Sequence, residues 1–213
     1  MRLLLGIPGG IAAYKAADLA RLLTKEGHQV RCVLTEAGSR FITPLTLASL
    51  TGESVFGANP DLPEWRPNPV IEHIELARWA DIVAIAPATA DILGKTANGL
   101  ANDLLSTILL GTRAQVLWAP AMNTQMWAHP AVQANVERLK SFGHRFIEPA
   151  EGLLACGEEG SGKLAEVEAI AEAIRALGSP KLPTLQGRTV LVTAGPTRED
   201  LDPVRTLTNR STG

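Results

Sequence analysis

The chain has 213 residues and a mass of 22.6 kDa, more than one domain of about 150 residues requires and short of two. Hydrophobic residues make up 46% against 20% charged, which excludes wholesale disorder and provides for a sizeable core. Twenty basic residues against 22 acidic leave a formal charge of -2, so no overall positive field draws in nucleic acid or an anionic membrane; binding must come from a local site.

Residues 2–7 form an apolar run that stops at Pro8-Gly9-Gly10, with Lys15 and Asp18 close behind, so the start reads as a strand and not as a signal sequence. Residues 11–26 then carry Ala, Leu and Lys at helical spacing up to Gly27. Further strands are expected at 29–34, 81–86, 115–118 and 144–147, with helices at about 44–51, 89–97, 101–110 and 130–142. A glycine-rich stretch at 151–162 precedes a helix at about 165–177. Residues 179–186, with Pro180 and Pro183, read as a linker, and 188–193 as a new strand. Alternating, nearly continuous apolar strands and helices predict an α/β fold, a three-layer doubly wound parallel sheet with helices on both faces. No apolar run reaches the roughly 18 residues that span a bilayer, and two cysteines make neither a disulfide framework nor a four-cysteine metal cluster. A cytoplasmic protein with no metal is expected.

In such a sheet the ligand sits outside the carboxyl ends of the strands, so the residues after each strand are the candidates. After the first come Gly9, Gly10 and Ile11, where backbone amides and a helix start can meet a phosphate; close strand-to-helix packing also asks for glycine. The spacing is not that of a dinucleotide fingerprint, although Glu36 is placed where a ribose acid would stand, and Thr35 beside it offers a hydroxyl to a phosphate oxygen. After the third and fourth strands come Pro87-Ala88-Thr89-Ala90-Asp91 and Pro120-Ala121-Met122-Asn123. Asn123 has an ordinary alternative as a helix cap, and Met122, Met126 and Trp127 suit either a core or an apolar wall for a planar cofactor.

Residues 157–163 match G-x-x-x-x-G-K, but Leu164 stands where Ser or Thr would hold magnesium, and two glutamates inside the loop repel a phosphate; the stretch reads instead as a glycine-hinged flap. Cys156 opens that flap, either as a small buried hydrophobe or as a thiol that Glu158 and Glu159 keep protonated, suited to donate a proton. Cys32, inside the second strand, reads as core. His73 lies in a segment leading to the third strand and is either structural or catalytic; His28, His129 and His144 fit helix ends and loop edges.

Six ordered motifs together resemble the flavin-containing cysteine decarboxylases, in particular the phosphopantothenoylcysteine decarboxylase half of a bacterial bifunctional protein of coenzyme A biosynthesis. They are Gly9-Gly10-Ile11-Ala12-Ala13-Tyr14-Lys15, His73-Ile74-Glu75-Leu76 with Trp79-Ala80-Asp81, and Pro87-Ala88-Thr89-Ala90-Asp91. Gly99-Leu100-Ala101-Asn102-Asp103-Leu104, Pro120-Ala121-Met122-Asn123 through Met126-Trp127, and Ala155-Cys156-Gly157 through Gly162 complete the set, which spans residues 1–178. Residues 192–199 and 201–205 resemble the start of the companion phosphopantothenate-cysteine ligase; a ligase using CTP and Mg is not expected from some 26 residues, so no ligase activity is expected of residues 187–213.

The resemblance implies a flavodoxin-like or Rossmann-like flavoprotein that holds FMN through Gly9, Gly10, Ile11, Thr35, Pro87, Ala88, Thr89, Ala90 and Met122. It implies catalytic roles for His73, Asn123 and Cys156, with Asn123 and Lys163 on the substrate 4'-phosphopantothenoylcysteine and Cys156 as proton donor. It also implies a homo-oligomer, a trimer or a multiple such as a dodecamer, with sites between subunits. Pro8 departs from the Ser or Thr usual in the phosphate loop, Asp91-Ile92 from the Asn-Thr of single-function relatives, and Lys163 from a usual arginine. The rival readings are a flavin prenyltransferase or peptide cysteine decarboxylase on the same fold, a non-catalytic flavin-binding regulatory subunit, and a nicotinamide dehydrogenase.

Overall fold

The computed structural model describes residues 1–57, 72–154, 157–178, 189, 191 and 198–208. It divides the chain into two units, Met1–Ser179 and Pro180–Gly213. In the first, β1 (Arg2–Ile7) leads through a 3-10 turn at Ile11–Ala13 into α1 (Tyr14–Lys25), followed by β2 (Gln29–Leu34), α2 (Glu36–Ser39), α3 (Pro44–Thr51) and β3 (Val55–Gly57). Then come α4 (Glu72–Trp79), β4 (Ile82–Ala88), α5 (Ala90–Ala97), α6 (Leu104–Gly111), β5 (Gln115–Pro120), α7 (Thr124–Ala128), α8 (Pro130–Ser141) and β6 (Arg145–Phe146). A hairpin of β7 (Ala150–Leu153) and β8 (Glu159–Lys163) precedes α9 (Val167–Gly178).

The six strands β1 to β6 form one sheet in the order β3-β2-β1-β4-β5-β6, with every neighbouring pair parallel. Side chains alternate across a strand, so the apolar runs supply two cores at once. Leu3, Leu5, Val30, Leu34, Ala84 and Leu117 pack with Leu19 and Leu23 of α1, Leu47 of α3 and Ile170 and Ile174 of α9. Leu4, Val33, Val83, Ile85 and the fully buried Trp118 pack on the other face with Leu76 of α4, Ile92 of α5, Ile108 of α6 and Leu139 of α8. Each Leu, Ile or Val among them contributes about 1.5–3 kcal/mol of burial. This is the expected three-layer arrangement, and β1, flanked by β2 on one side and β4 on the other, marks the point where the strand order reverses.

Local chemistry moves several boundaries. Strands β4 and β5 run two residues further than the apolar periodicity predicts, through Ala88 and Pro120, and β4 is buried along its whole length. Helix α6 starts at Leu104 and not near 101, because Asp103 caps it: its carboxylate accepts from the amide of Ser106 at 2.8 Å while the Ser106 hydroxyl accepts from the Asp103 amide at 3.1 Å. The segment around His73 is helical, and the glycine-rich stretch contains an antiparallel hairpin. In the second unit, β9 (Arg198–Asp200) pairs antiparallel with β10 (Thr206–Thr208), and Asp202 closes the turn by accepting from the amides of Val204 and Arg205 at 2.9 and 2.8 Å. The expected linker and most of the expected strand at 188–193 lie outside the described residues. Among the described residues no helix is long and apolar enough to cross a membrane.

Candidate active site

A cavity of about 1060 Å3 opens at the carboxyl ends of β1, β2, β4 and β5. It lies at the upper end of the roughly 300–1,000 Å3 of small-molecule sites, enough for a cofactor and a substrate together. One wall is the loop after β1, with Pro8, Gly9, Gly10 and Ile11. Gly9 lies so close to α2 that a Cβ would stand 2.5 Å from that of Ala37, so only glycine lets this backbone reach its position.

Three helix starts meet here: the 3-10 turn leading into α1, α2 capped by Thr35 and α5 capped by Thr89. The Thr35 and Thr89 hydroxyls accept from the amides of Gly38 at 3.0 Å and Ile92 at 3.4 Å, which leaves each hydroxyl hydrogen to donate. Helix starts and hydroxyl donors make this corner suited to a phosphate, and the residues fit the anionic end of a flavin nucleotide without any basic side chain in the loop itself.

Asn123 stands on another wall and caps α7, its Oδ1 accepting from the amide of Gln125 at 2.8 Å and its Nδ2 donating to Glu158 Oε2 at 2.7 Å. The hairpin covers this wall: the amide of Met122 donates to the carbonyl of Gly162 at 2.9 Å. Lys163, at the end of β8, and Lys15, on α1, both line the cavity and both pair with Glu166, at 3.1 and 3.5 Å. The hydrogen bond from Lys163 and the charge of Lys15 hold the Glu166 carboxyl below the usual carboxylate range. On a third wall Lys95 reaches Asp91 at 2.9 Å and Asp103 at 3.4 Å, and the hydrogen bond to Asp91 raises its ammonium above the usual lysine value.

Of the residues singled out in the sequence, Gly9, Gly10, Ile11, Thr35, Pro87, Thr89, Ala90, Met122, Asn123 and Lys163 line this one cavity. Ala88 does not: it is fully buried, and its carbonyl accepts from the amide of Ala121 at 3.0 Å. His73 is on α4 and is not among the lining residues of its own chain. Cys156 lies outside the described residues. Met126 lines the cavity, whereas Trp127 packs against the core. Cys32 is core, its thiol pushed up to about 12 by burial. His129 caps α8 and His144 accepts from Trp118, so both have structural work. The G-x-x-x-x-G-K match ends in strand β8 and not at a helix start, which removes the nucleotide-loop reading.

Sequence reasoning gave no role to Arg40, Asp91, Lys95, Asn102 or Asp103, all of which line the cavity. A signal for Lys95 was present, since it stands four residues after Asp91 on the helix that leaves the β4 loop.

A doubly wound parallel sheet with a large cavity and converging helix starts at its switch point defines a cofactor-binding α/β protein. The chain belongs to the flavoprotein family, which it matches over residues 1–179, and residues 185–213 match the C-terminal domain of DNA/pantothenate metabolism flavoproteins. It is 47% identical over 211 residues to the coenzyme A biosynthesis bifunctional protein CoaBC of Bacillus subtilis (strain 168), covering 99% of this chain and 51% of that protein. The chain thus spans about half the length of the curated relatives it matches. Among solved structures, a cysteine-to-serine mutant of PPC decarboxylase complexed with pantothenoylaminoethenethiol is 34% identical with a TM-score of 0.75, covering 83% of this chain and 97% of that one. The FMN binding protein AtHal3 is 35% identical with a TM-score of 0.72, covering 82% and 95%.

Proposed function

We propose that residues 1–178 form an FMN-dependent decarboxylase that converts 4'-phosphopantothenoylcysteine to 4'-phosphopantetheine, that 179–186 are a linker, and that 187–213 begin a ligase domain. The observation that carries the reading is the union of the β1 loop, Thr35, the β4 loop and Asn123 in one cavity, in a chain whose relatives include a PPC decarboxylase and an FMN binding protein. A cysteine carboxylate has no adjacent electron sink, so its loss as carbon dioxide needs one to be made. Bound FMN would supply it, taking two electrons from the substrate thiol so that carbon dioxide leaves beside a carbon-sulfur double bond, and returning them afterwards.

The protein's share is binding, orientation and proton transfer. Gly9, Gly10, Ile11, Thr35 and the Pro87 to Ala90 loop hold the flavin nucleotide, with Met122 as an apolar wall and Ala88 contributing as backbone support. Asn123 holds the substrate carboxylate with its amide hydrogens, and Lys163 offers a point charge to the substrate. Cys156 donates the proton that completes the product. His73, absent from the wall of its own cavity, acts on the site of a neighbouring copy in a trimer or a multiple of trimers. The setting is cytoplasmic. The test is to load the protein with FMN, add 4'-phosphopantothenoylcysteine and follow carbon dioxide release and product mass. We expect 4'-phosphopantetheine from the wild type, loss of carbon dioxide release in His73→Asn, and an oxidised decarboxylated species in Cys156→Ser. A flavin-loaded protein that releases no carbon dioxide would leave the regulatory flavin-binding reading standing in its place.

A further inference from the structure

Asn123 already holds a carboxylate. Its Oδ1 is tied to the amide of Gln125 at 2.8 Å, which fixes which side of the group is the donor, and its Nδ2 donates to Glu158 Oε2 at 2.7 Å. That is the short separation of a charge-assisted bond. Glu158 stands just before strand β8, its carbonyl accepts from the amide of Leu154 at 2.8 Å, and it is bracketed by Gly157 and Gly160 at φ 85° and 158°. A Cβ placed on Gly157 would meet nothing within 4 Å.

We infer that Glu158 is an internal occupant of the carboxylate subsite that an incoming ligand carboxylate must displace, and that it tempers the site's preference for such ligands. The inference rests on the assignment of Asn123 to the substrate carboxylate. Two carboxylates drawn to one amide donor repel each other, so binding requires the Glu158 side chain to leave. A ligand bearing an α-carboxylate beside its amide replaces the bond that is lost. A ligand without one leaves Glu158 on Asn123. Once the substrate carboxylate has departed as carbon dioxide, Glu158 returns to Asn123, so its amide donor is not left unpaired beside the neutral end of the product. Glu158 therefore lowers the affinity for N-acyl amino acids with a free carboxylate and leaves that for their decarboxylated counterparts unchanged, which narrows the affinity gap between substrate and product.

The test compares two probes on FMN-loaded protein by calorimetry: the 4'-phosphopantothenoyl amide of serine, which has the carboxylate and no oxidisable thiol, and that of ethanolamine, which has neither. Glu158→Gln and Glu158→Ala are expected to bind the serine probe about three- to tenfold tighter than wild type, with the ethanolamine probe unchanged. Asn123→Asp keeps the oxygen that accepts from Gln125 but replaces the donor with a like charge, and is expected to lose roughly tenfold or more for the serine probe alone. If the Glu158 variants leave the serine probe unchanged, weaken it, or tighten both probes equally, the internal occupant is overturned. If Asn123→Asp leaves the ratio of the two affinities unchanged, the assignment of Asn123 fails, and the inference falls with it.

Discussion

Met122 donates its amide to the carbonyl of Gly162 at 2.9 Å, so the cavity wall and the strand that covers it share a backbone hydrogen bond. Gly162 has φ 143°, and a Cβ there would run into the Met122 carbonyl. An alanine side chain meets both penalties at once, strain and loss of the close approach. Gly162→Ala is expected to lower stability by roughly 1–3 kcal/mol and to raise KM for the substrate, read by thermal unfolding and steady-state kinetics. An unchanged KM would mean that the hairpin's seating on Met122 does not shape the site.

The approach of Gly9 to Ala37 yields a second expectation. Gly9→Ala puts a methyl 2.5 Å from the Ala37 Cβ and 2.8 Å from its carbonyl carbon, and backbone cannot yield as a side-chain tip does. The loop after β1 must back away from α2, and with it the amides that would meet a phosphate. We expect the variant to keep its circular dichroism spectrum and to need at least roughly tenfold more FMN to develop the flavin absorption band, about the value of one or two charge-assisted hydrogen bonds. Equal FMN titrations for the two proteins would place the phosphate elsewhere.

Thr35 has two tasks in one hydroxyl, accepting from the Gly38 amide as a cap and keeping its hydrogen for a ligand. Thr35→Val removes both and is expected to cost about 1 kcal/mol of stability together with a loss of FMN affinity. Thr35→Ser restores the hydroxyl and is expected to recover both. A valine variant that is destabilised yet binds FMN normally would leave Thr35 with the cap alone.

The strands were legible because β1 and β4 are buried on both faces, which writes them as nearly continuous apolar runs, while β2 shows its apolar residues around Arg31; the rule that ligands sit beyond their carboxyl ends then found most of one cavity wall. The hidden parts depend on distance along the chain or on polar geometry. Three-residue β3 is too short to carry a period, and α7 is a five-residue helix whose start depends on the cap by Asn123. The contact of Asn123 with Glu158 spans 35 residues, and the meeting of Lys15 with Glu166 joins α1 to the segment before α9; neither leaves a local pattern to read. His73 shows the opposite case. The motif singled out the residue, but the wall of this chain's cavity does not contain it, and its proposed role depends on a neighbouring copy.

Cys32 should be chemically silent while the protein is folded. It is 1% exposed within β2, and burial pushes its thiol up to about 12, so almost no thiolate is present at pH 8. Alkylation by iodoacetamide at pH 8 is expected to reach Cys32 only after denaturant is added, as read by peptide mass spectrometry. Rapid labelling of Cys32 in the native protein would contradict the packing of that strand.

His144 gives a pH dependence whose sign follows from its environment. Its Nδ1 accepts from Trp118 Nε1 at 3.0 Å, which a ring protonated at that nitrogen cannot do, and burial lowers its pKa below the ordinary 6.5. Between the lowered folded value and about 6.5 the unfolded chain binds a proton that the folded protein refuses, so stability rises with pH there. The contribution is complete above about pH 6.5 and is lost as pH falls through that value toward the folded one. His144→Gln keeps an acceptor for Trp118 and abolishes the titration. Urea midpoints measured at pH 5, 6 and 7 are expected to fall more steeply with acid for the wild type than for this variant. Parallel slopes would show that His144 is as easily protonated in the folded protein as in the unfolded chain, and that its bond to Trp118 does not hold it neutral.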